Sequence, residues 1–447
     1  MGSPDTTPVL FRVAGGPRLG FGHIVRAISL AKAMQVKARL SVRGTSETTR
    51  VATRMGASVD EEGFATVLET GDVKLVVIDD PHVETAEAAL IAARRHGVPV
   101  ASIHDLGLAP IASDLAIDGS LAHSVTQPQS AEARRSWPAG ELLLGPRYMV
   151  LDPALLQEIA AHRRVLAPGT RELSEGRRVM VSLGGGPRLE AGLTIARAIA
   201  EAYADTRVTL ATGFTARASH IATGHPRVRL LESPGVLRCE LARADVAVLA
   251  GGVTLYESAA LGVPAVAVAV VPAQWPTVRA FDRIGAARAA GLLHTSSRER
   301  PLRVIARVVR AVGELLANDE ALATMAMTAR EHVDGRGAIR VATALKKLME
   351  HGTASDFVAA EAAEAAAHAA SFAASAGPTA TLPETLTSAE ALVNNGGARL
   401  SPSPATLAAA GAGNLAPDAS DARDARDERG DVFVRQVGPK GQEWSAV

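Results

Sequence analysis

The sequence predicts an α/β protein built from two open parallel sheets, and three observations carry that prediction. Short apolar runs alternate with alanine-rich segments of helical propensity, which is the pattern of βαβ units. Two glycine-rich turns, GFGHIVR at Gly20–Arg26 and GGVTLYE at Gly251–Glu257, each join an apolar run to a helical segment. The same grammar restarts midway, so the 447-residue chain reads as two Rossmann-like domains plus extra sequence.

In the first half, Val9 to Ala14 reads as a buried strand that runs into the first glycine turn. Ile24, Ala27, Ile28, Ala31 and Met34 then recur at helical spacing. Further strands are expected at Arg39–Val42, Leu75–Ile78, Val98–Ile103 and Leu115–Ile117, with helix between them, as at Thr85–Arg95. The rhythm changes at GPRYMVLD, Gly145 to Asp152. A helix over Pro153–Arg164 and a polar connection, Ala167–Arg177, mark the domain boundary. The domains are placed at 1–165 and 175–351.

The second half opens with a strand, Val179–Leu183, entering Gly184, Gly185, Gly186 and Pro187. Strands at Val208–Ala211, Val228–Leu231, Val246–Ala250 and Pro264–Val271 follow. Helices are expected within Leu302–Leu316, Glu320–Glu331 and Ile339–Glu350. From Gly352 the composition turns to alanine with Ser, Thr, Pro and Gly, then to an alternating charged run, Asp418–Asp431. Such sequence lacks the apolar bulk that offsets the entropy of ordering, so residues 352–447 are expected to be disordered. Within them Asp356–Ala374 has alanine-driven helical propensity, and Val432–Val437 with Trp444 reads as a frayed end, with a short docking motif as the alternative.

Bulk composition narrows the function. Lys+Arg and Asp+Glu both number 47, giving a formal net charge of +0, and aromatics make up 3%, so no nucleic-acid partner is expected. The longest apolar run, Val263–Ala273, holds two prolines and falls short of the roughly 20 residues a membrane helix needs, so no membrane insertion is expected. Cys239 is the only cysteine, and the N-terminus lacks the layout of a secretory signal. A cytoplasmic protein is the expectation.

The chemistry-bearing residues cluster at the turns. In an open α/β sheet, a glycine turn after a strand lets backbone approach a ligand and aims helix-terminal N–H groups at an anion. Gly20, Gly22, His23 and Arg26 form one such candidate group, with His23 able to exchange a proton near neutral pH. The alternative makes the glycines a sharp bend and His23 a helix cap. Gly251, Gly252 and Thr254 form the second group, suited to phosphate oxygens, with Glu257 one turn on and facing a ribose. The alternative for Glu257 is a first-turn acid favoured by the helix dipole. Asp79 and Asp80 close one strand and His104 with Asp105 another; they line a cleft or cap helices, or the acids hold a metal. Gly15–Gly16–Pro17 and Gly20–Phe21–Gly22 do not make a dinucleotide fingerprint, and no nucleophile elbow is present.

GFGHIVRAISLAKAM near the start resembles the N-terminal signature of the pseudaminic-acid pathway nucleotide-sugar hydrolases and their spore-coat polysaccharide relatives. LVVIDD, IHDLG, LGPRYMVLDPAL, VSLGGGPR and AVLAGGVTLYESAALGVPAV follow in that family's order. The second turn is also similar to the nucleotide site of the lipid-linked N-acetylglucosaminyltransferase of peptidoglycan synthesis. The resemblance implies a GT-B architecture, two facing Rossmann-like domains, acting on a UDP-sugar with no cofactor and no metal. It places Gly252 and Thr254 at the diphosphate, Glu257 at the ribose and His23 across the cleft as the base. Gly184, Gly185 and Gln274 join the substrate-binding set. The sequence departs from the family pattern at Ala14, Pro81, Val253 and Ala273. The expected activity is UDP-sugar hydrolysis in surface-glycan or nonulosonic-acid biosynthesis. The alternatives are a GT-B glycosyltransferase and a catalytically weak accessory protein, with the C-terminal tail available to dock a partner.

Overall fold

Two all-parallel sheets account for every strand of the described residues. In the computed structural model these residues are 8–16, 19–104, 110–122, 137–165, 176–184, 188–213, 222–231, 236–293 and 299–375. The first half holds β1 (Val9–Ala14), α1 (Gly22–Met34), β2 (Arg39–Arg43), α2 (Ser46–Arg54), β3 (Ser58–Val59), α3 (Phe64–Glu69), β4 (Leu75–Asp79), α4 (Val83–Arg95), β5 (Val100–His104), β6 (Leu115–Asp118) and β7 (Glu141–Leu144). After α5 (Leu155–Val165) come β8 (Arg177–Ser182), α6 (Arg188–Ala202), β9 (Thr206–Ala211), β10 (Val228–Leu231), α7 (Leu237–Ala242), β11 (Val246–Ala250), α8 (Val253–Leu261), β12 (Ala265–Ala269), α9 (Trp275–Arg283) and β13 (Arg288–Leu292). Four helices close the described chain: α10 (Glu299–Leu316), α11 (Asp319–His332), α12 (Gly337–His351) and α13 (Ser355–Ser375).

Strand order is β3-β2-β1-β4-β5-β6-β7 in the first sheet and β10-β9-β8-β11-β12-β13 in the second. Each order reverses once, between β1 and β4 and between β8 and β11. Loops leaving the strands on either side of such a reversal splay apart, opening a crevice at the carboxyl end of the sheet. The first glycine turn follows β1, Gly184 follows β8 and the second glycine turn follows β11. The predicted α/β class with two open sheets is therefore the observed one.

The central strands β4, β5 and β12 are buried at every residue, hence on both faces, as expected of inner strands of a parallel sheet. On one face of the first sheet α1 buries Ile24, Ile28, Leu30 and Met34 beside Phe11, Val13 and Leu40. Each such side chain contributes about 1.5–3 kcal/mol on burial. On the other face α3 and α4 cover Leu10, Val76 and Ile78. The second sheet packs Val181, Leu210 and Val248 beneath α6 and α10.

The chain does not end on the second sheet. α12 buries Ala338, Val341, Leu345 and Leu348 in the core of the first sheet, against α1. Its helical period was legible, but period alone does not say which lobe a helix packs on. α13 follows as an ordered element. Phe357 and Val358 pack against the same core, and Glu361 is buried beside Arg147 and Arg340. Burial, and after it the Glu361 carboxylate, push the pKa of the Tyr148 hydroxyl up to about 12, with Arg147 and Arg340 opposing. The start of the alanine-rich region is thus a helix docked on the first lobe, where composition alone indicated disorder from Gly352. Residues 376–447, with Val432–Val437 and Trp444, lie outside the described residues.

Candidate active site

The first site is built on the reversal between β1 and β4. Val13 and Asp79 are register partners on these adjacent strands, so the end of β4 lies beside the turn leaving β1. That turn is closed by two backbone hydrogen bonds, Gly16 N–H to Gly20 O at 3.0 Å and Gly20 N–H to Gly16 O at 2.7 Å. Gly20 sits at φ 84°, in the left-handed region where a side chain would be strained. The chain then enters α1 with Phe21 at the N-cap and no side-chain cap bond. His23 is therefore not a cap. Its ring reaches across to Asp79, with Nδ1 2.7 Å from Oδ1.

Arg26, one turn further along α1, grips the same carboxylate. Its Nε donates to Oδ2 at 2.6 Å and its Nη2 to Oδ1 at 2.5 Å. Asp79 is 1% exposed and Arg26 3% exposed. Burial alone would raise the Asp79 carboxyl, but Arg26 and His23 together hold it well below the usual carboxylate range. An ionised carboxylate at Nδ1 favours the tautomer with its proton there, which directs the ring's basic lone pair to Nε2. Arg26, expected to contact substrate, is placed behind the His23–Asp79 pair and supports it. Asp80 faces elsewhere, in a two-point ion pair with Arg43 at 2.7 Å and a hydrogen bond from Thr85. Among the described residues no group of three His, Cys, Asp or Glu is arranged to hold a metal ion, and no helix is long and apolar enough to cross a membrane.

The second site is built on the reversal between β8 and β11. β11 runs into Gly251 and Gly252, and α8 starts at Val253 with no side-chain cap. Leu255 N–H donates back to Gly252 O at 3.0 Å, and no side chain caps the N–H groups of Val253 and Thr254. A Cβ on Gly251 would lie 2.7 Å from Val278 Cγ2 and 3.0 Å from Gln274 O, so only glycine fits against the start of α9. Gln274 accepts a hydrogen bond from Val270 N–H through Oε1 at 3.0 Å, which turns its amide N–H groups toward Gly252. Thr254 is half-buried in the first turn. Gly184 takes φ 94° at the end of β8 and borders Arg188, whereas Gly185 lies outside the described residues.

Glu257 lies past the first turn of α8, which contains no acidic residue, so the dipole alternative does not describe it. It is 8% exposed, and burial pushes its carboxyl up to about 7; Arg238 opposes the shift and Asp152 adds to it. These two neighbours belong to a cluster joining the lobes. Asp152 Oδ2 accepts from Lys32 of α1 and from Arg238 of α7, both at 3.0 Å, while Oδ1 accepts from Ala154 N–H. The Tyr256 hydroxyl, next to Glu257, accepts from Leu121 N–H of the first lobe at 2.9 Å. The structure thus gathers Gly20, Gly22, His23 and Arg26 with Asp79 in one lobe, and Gly251, Gly252, Thr254 and Gln274 in the other. Asp152 ties α1, which bears His23, to α7 of the second lobe.

Sequence reasoning missed Asp79 as the partner of His23, and it missed Asp152 and Arg238 altogether. The available signal for Asp79 was its place at the end of a strand expected next to β1 in a doubly wound sheet.

No family model matches the chain. The spore coat polysaccharide biosynthesis protein SpsG of Bacillus subtilis (strain 168) is 30% identical over 125 residues, 28% of this chain. The match spans 35% of SpsG, about a third of its length. Among solved structures, MurG of Acinetobacter baumannii superposes with a TM-score of 0.52 at 16% identity, over 76% of this chain and 99% of that one. The spinosyn rhamnosyltransferase SpnG gives 0.51 at 15%, covering 76% and 99%. The glycotransferase of kitacinnamycin gives 0.50 at 17%, covering 77% and 100%. What the chain shares with these structures is the fold, the GT-B arrangement of two Rossmann-like lobes.

Proposed function

We propose that this chain is a GT-B glycosyltransferase that passes the sugar of a UDP-sugar to an acceptor hydroxyl. The observation that carries the reading is the His23–Asp79 pair, 2.7 Å apart and backed by Arg26, at the reversal of the first sheet. The acceptor oxygen forms the new bond to the anomeric carbon as the bond to the UDP oxygen breaks. His23 Nε2 takes the acceptor proton, and Asp79 stabilises the imidazolium that results. The leaving diphosphate is received by the uncapped first turn of α8, the Thr254 hydroxyl and the Gln274 amide. Glu257 accepts hydrogen bonds from the ribose hydroxyls. The cluster at Asp152 holds the two lobes in register while this happens.

Transfer is favoured over the hydrolysis implied by sequence resemblance on two grounds. The fold is shared with proteins named as glycosyltransferases, an analogy of fold rather than of site. The partial similarity to SpsG, named for spore coat polysaccharide biosynthesis, fits an enzyme that builds a glycan. The test is incubation with UDP-, GDP- and CMP-sugars, each with and without sugar or polyol acceptors. Turnover of a UDP-sugar only with acceptor supports transfer. Free sugar plus UDP without acceptor returns the reading to hydrolysis, nucleotide binding without turnover to an accessory role, and absence of nucleotide binding overturns all three.

A further inference from the structure

A second concave site lies away from both glycine turns, at the amino-terminal half of the second sheet. It is a cavity of about 630 Å³ floored by the starts of β8, β9 and β10 and walled by α7. It exists because α7 has only six residues. At about 1.5 Å per residue this helix covers half the length of the strands beneath it. The half it covers presents Met180, Ala211 and Leu231 to Leu241. The half left open presents charge.

Five arginines line the cavity, Arg178, Arg207, Arg227, Arg229 and Arg243, against one carboxylate, Glu240. The chain as a whole has formal net charge +0, so this concentration is local. Strand register explains it. Arg178 and Arg207 are direct partners on β8 and β9, hence on one face and about 4.8 Å apart in backbone. Arg229 is the partner of Thr209, two residues on from Arg207 and on the same face. Glu240 is shared by Arg229 and Arg243. Arg227 lines the cavity with its Nε–H lacking an acceptor. Like charges on neighbouring strands repel, and Glu240 is the one carboxylate in the lining that offsets them. A volume in the small-ligand range lined by guanidinium forks suits phosphate oxygens, which arginine engages two at a time.

We propose that this cavity binds a ligand presenting two or more phosphate groups, a site separate from the nucleotide-sugar site. The test uses the full chain at low ionic strength, with inorganic pyrophosphate titrated calorimetrically in the presence of saturating UDP. Phosphatidylcholine vesicles with and without cardiolipin, a lipid whose headgroup carries two phosphates, are tested in parallel by co-sedimentation. Arg207 is exposed and Arg243 has 65% of its side chain exposed, so Arg207→Glu and Arg243→Glu are expected to fold with unchanged melting temperature. Each variant should weaken pyrophosphate binding at least about tenfold while leaving UDP affinity unchanged. Vesicle binding lost in the same variants, without pyrophosphate binding, supports the site with a lipid headgroup as the phosphate source. Equal pyrophosphate and vesicle binding by parent and both variants, or no binding of either probe by the parent, overturns the proposal.

Discussion

Replacing Glu257 by glutamine separates the electrostatic cost of the proposed nucleotide site from its packing. The native carboxyl is 8% exposed and pushed up by burial from 4.5 to about 7. Below pH 4.5 folded and unfolded chains both hold the proton, and stability is unaffected. Between 4.5 and 7 the folded state keeps a proton that the unfolded state releases, so stability falls as pH rises. Above 7 both are ionised and the full cost remains. At 1.36 kcal/mol per unit that cost is about 3 kcal/mol. Glutamine has nearly the same shape and no charge. The variant should therefore melt with the parent at pH 4.5 and several degrees above it at pH 8, by thermal unfolding followed with circular dichroism. Nucleotide binding adds a second reading. If ribose hydroxyls donate to the ionised carboxylate, parent affinity for UDP should rise with pH up to about 7, and the variant's should be weaker and flat. An equal shift in melting temperature at both pH values would refute the assignment of the cost to a buried charge.

Other substitutions probe the remaining supports. Asp79→Asn should lower turnover by on the order of 10²–10⁴-fold with UDP affinity retained, because the ring loses its tautomer control. It should also lower the melting temperature, since Arg26 is left buried without its counter-charge at a cost of about 3–5 kcal/mol. Gly251→Ala should cost about 1–3 kcal/mol in denaturant titration, because the new methyl meets Val278 and the Gln274 carbonyl. Deleting the chain from Gly352 should lower the melting temperature by several degrees, since it strips Phe357, Val358 and Glu361 from the first lobe; an unchanged melt would show that α13 adds nothing.

Much of the fold was legible because central parallel strands are apolar on both faces and so stand out as runs. Val9–Ala14, Leu75–Asp79, Val246–Ala250 and Ala265–Ala269 all lie inside their sheets. The strands not anticipated, Ser58–Val59, Glu141–Leu144 and Arg288–Leu292, are sheet edges. An edge strand can be short or carry Ser, Glu and Arg, because one side meets solvent and the pattern fades. The two glycine turns were legible because backbone conformation and close packing demand glycine there. The groups they work with were less so. Asp79 lies 56 positions from His23, and Asp152 lies 120 from Lys32 and 86 from Arg238. Only sheet order and lobe docking bring such pairs together, and neither is written in local periodicity. For the same reason the helical period of Gly337–His351 was clear while its packing on the first lobe was not.

His23→Ala tests the account most directly, through turnover of a UDP-sugar with acceptor and UDP affinity measured on the same preparation. Loss of at least about 100-fold in kcat, with UDP affinity within about twofold of the parent, is the result expected of a base that touches the acceptor and not the nucleotide. Unimpaired kcat in that variant would remove His23, and with it the Asp79 and Arg26 scaffold, from the chemistry.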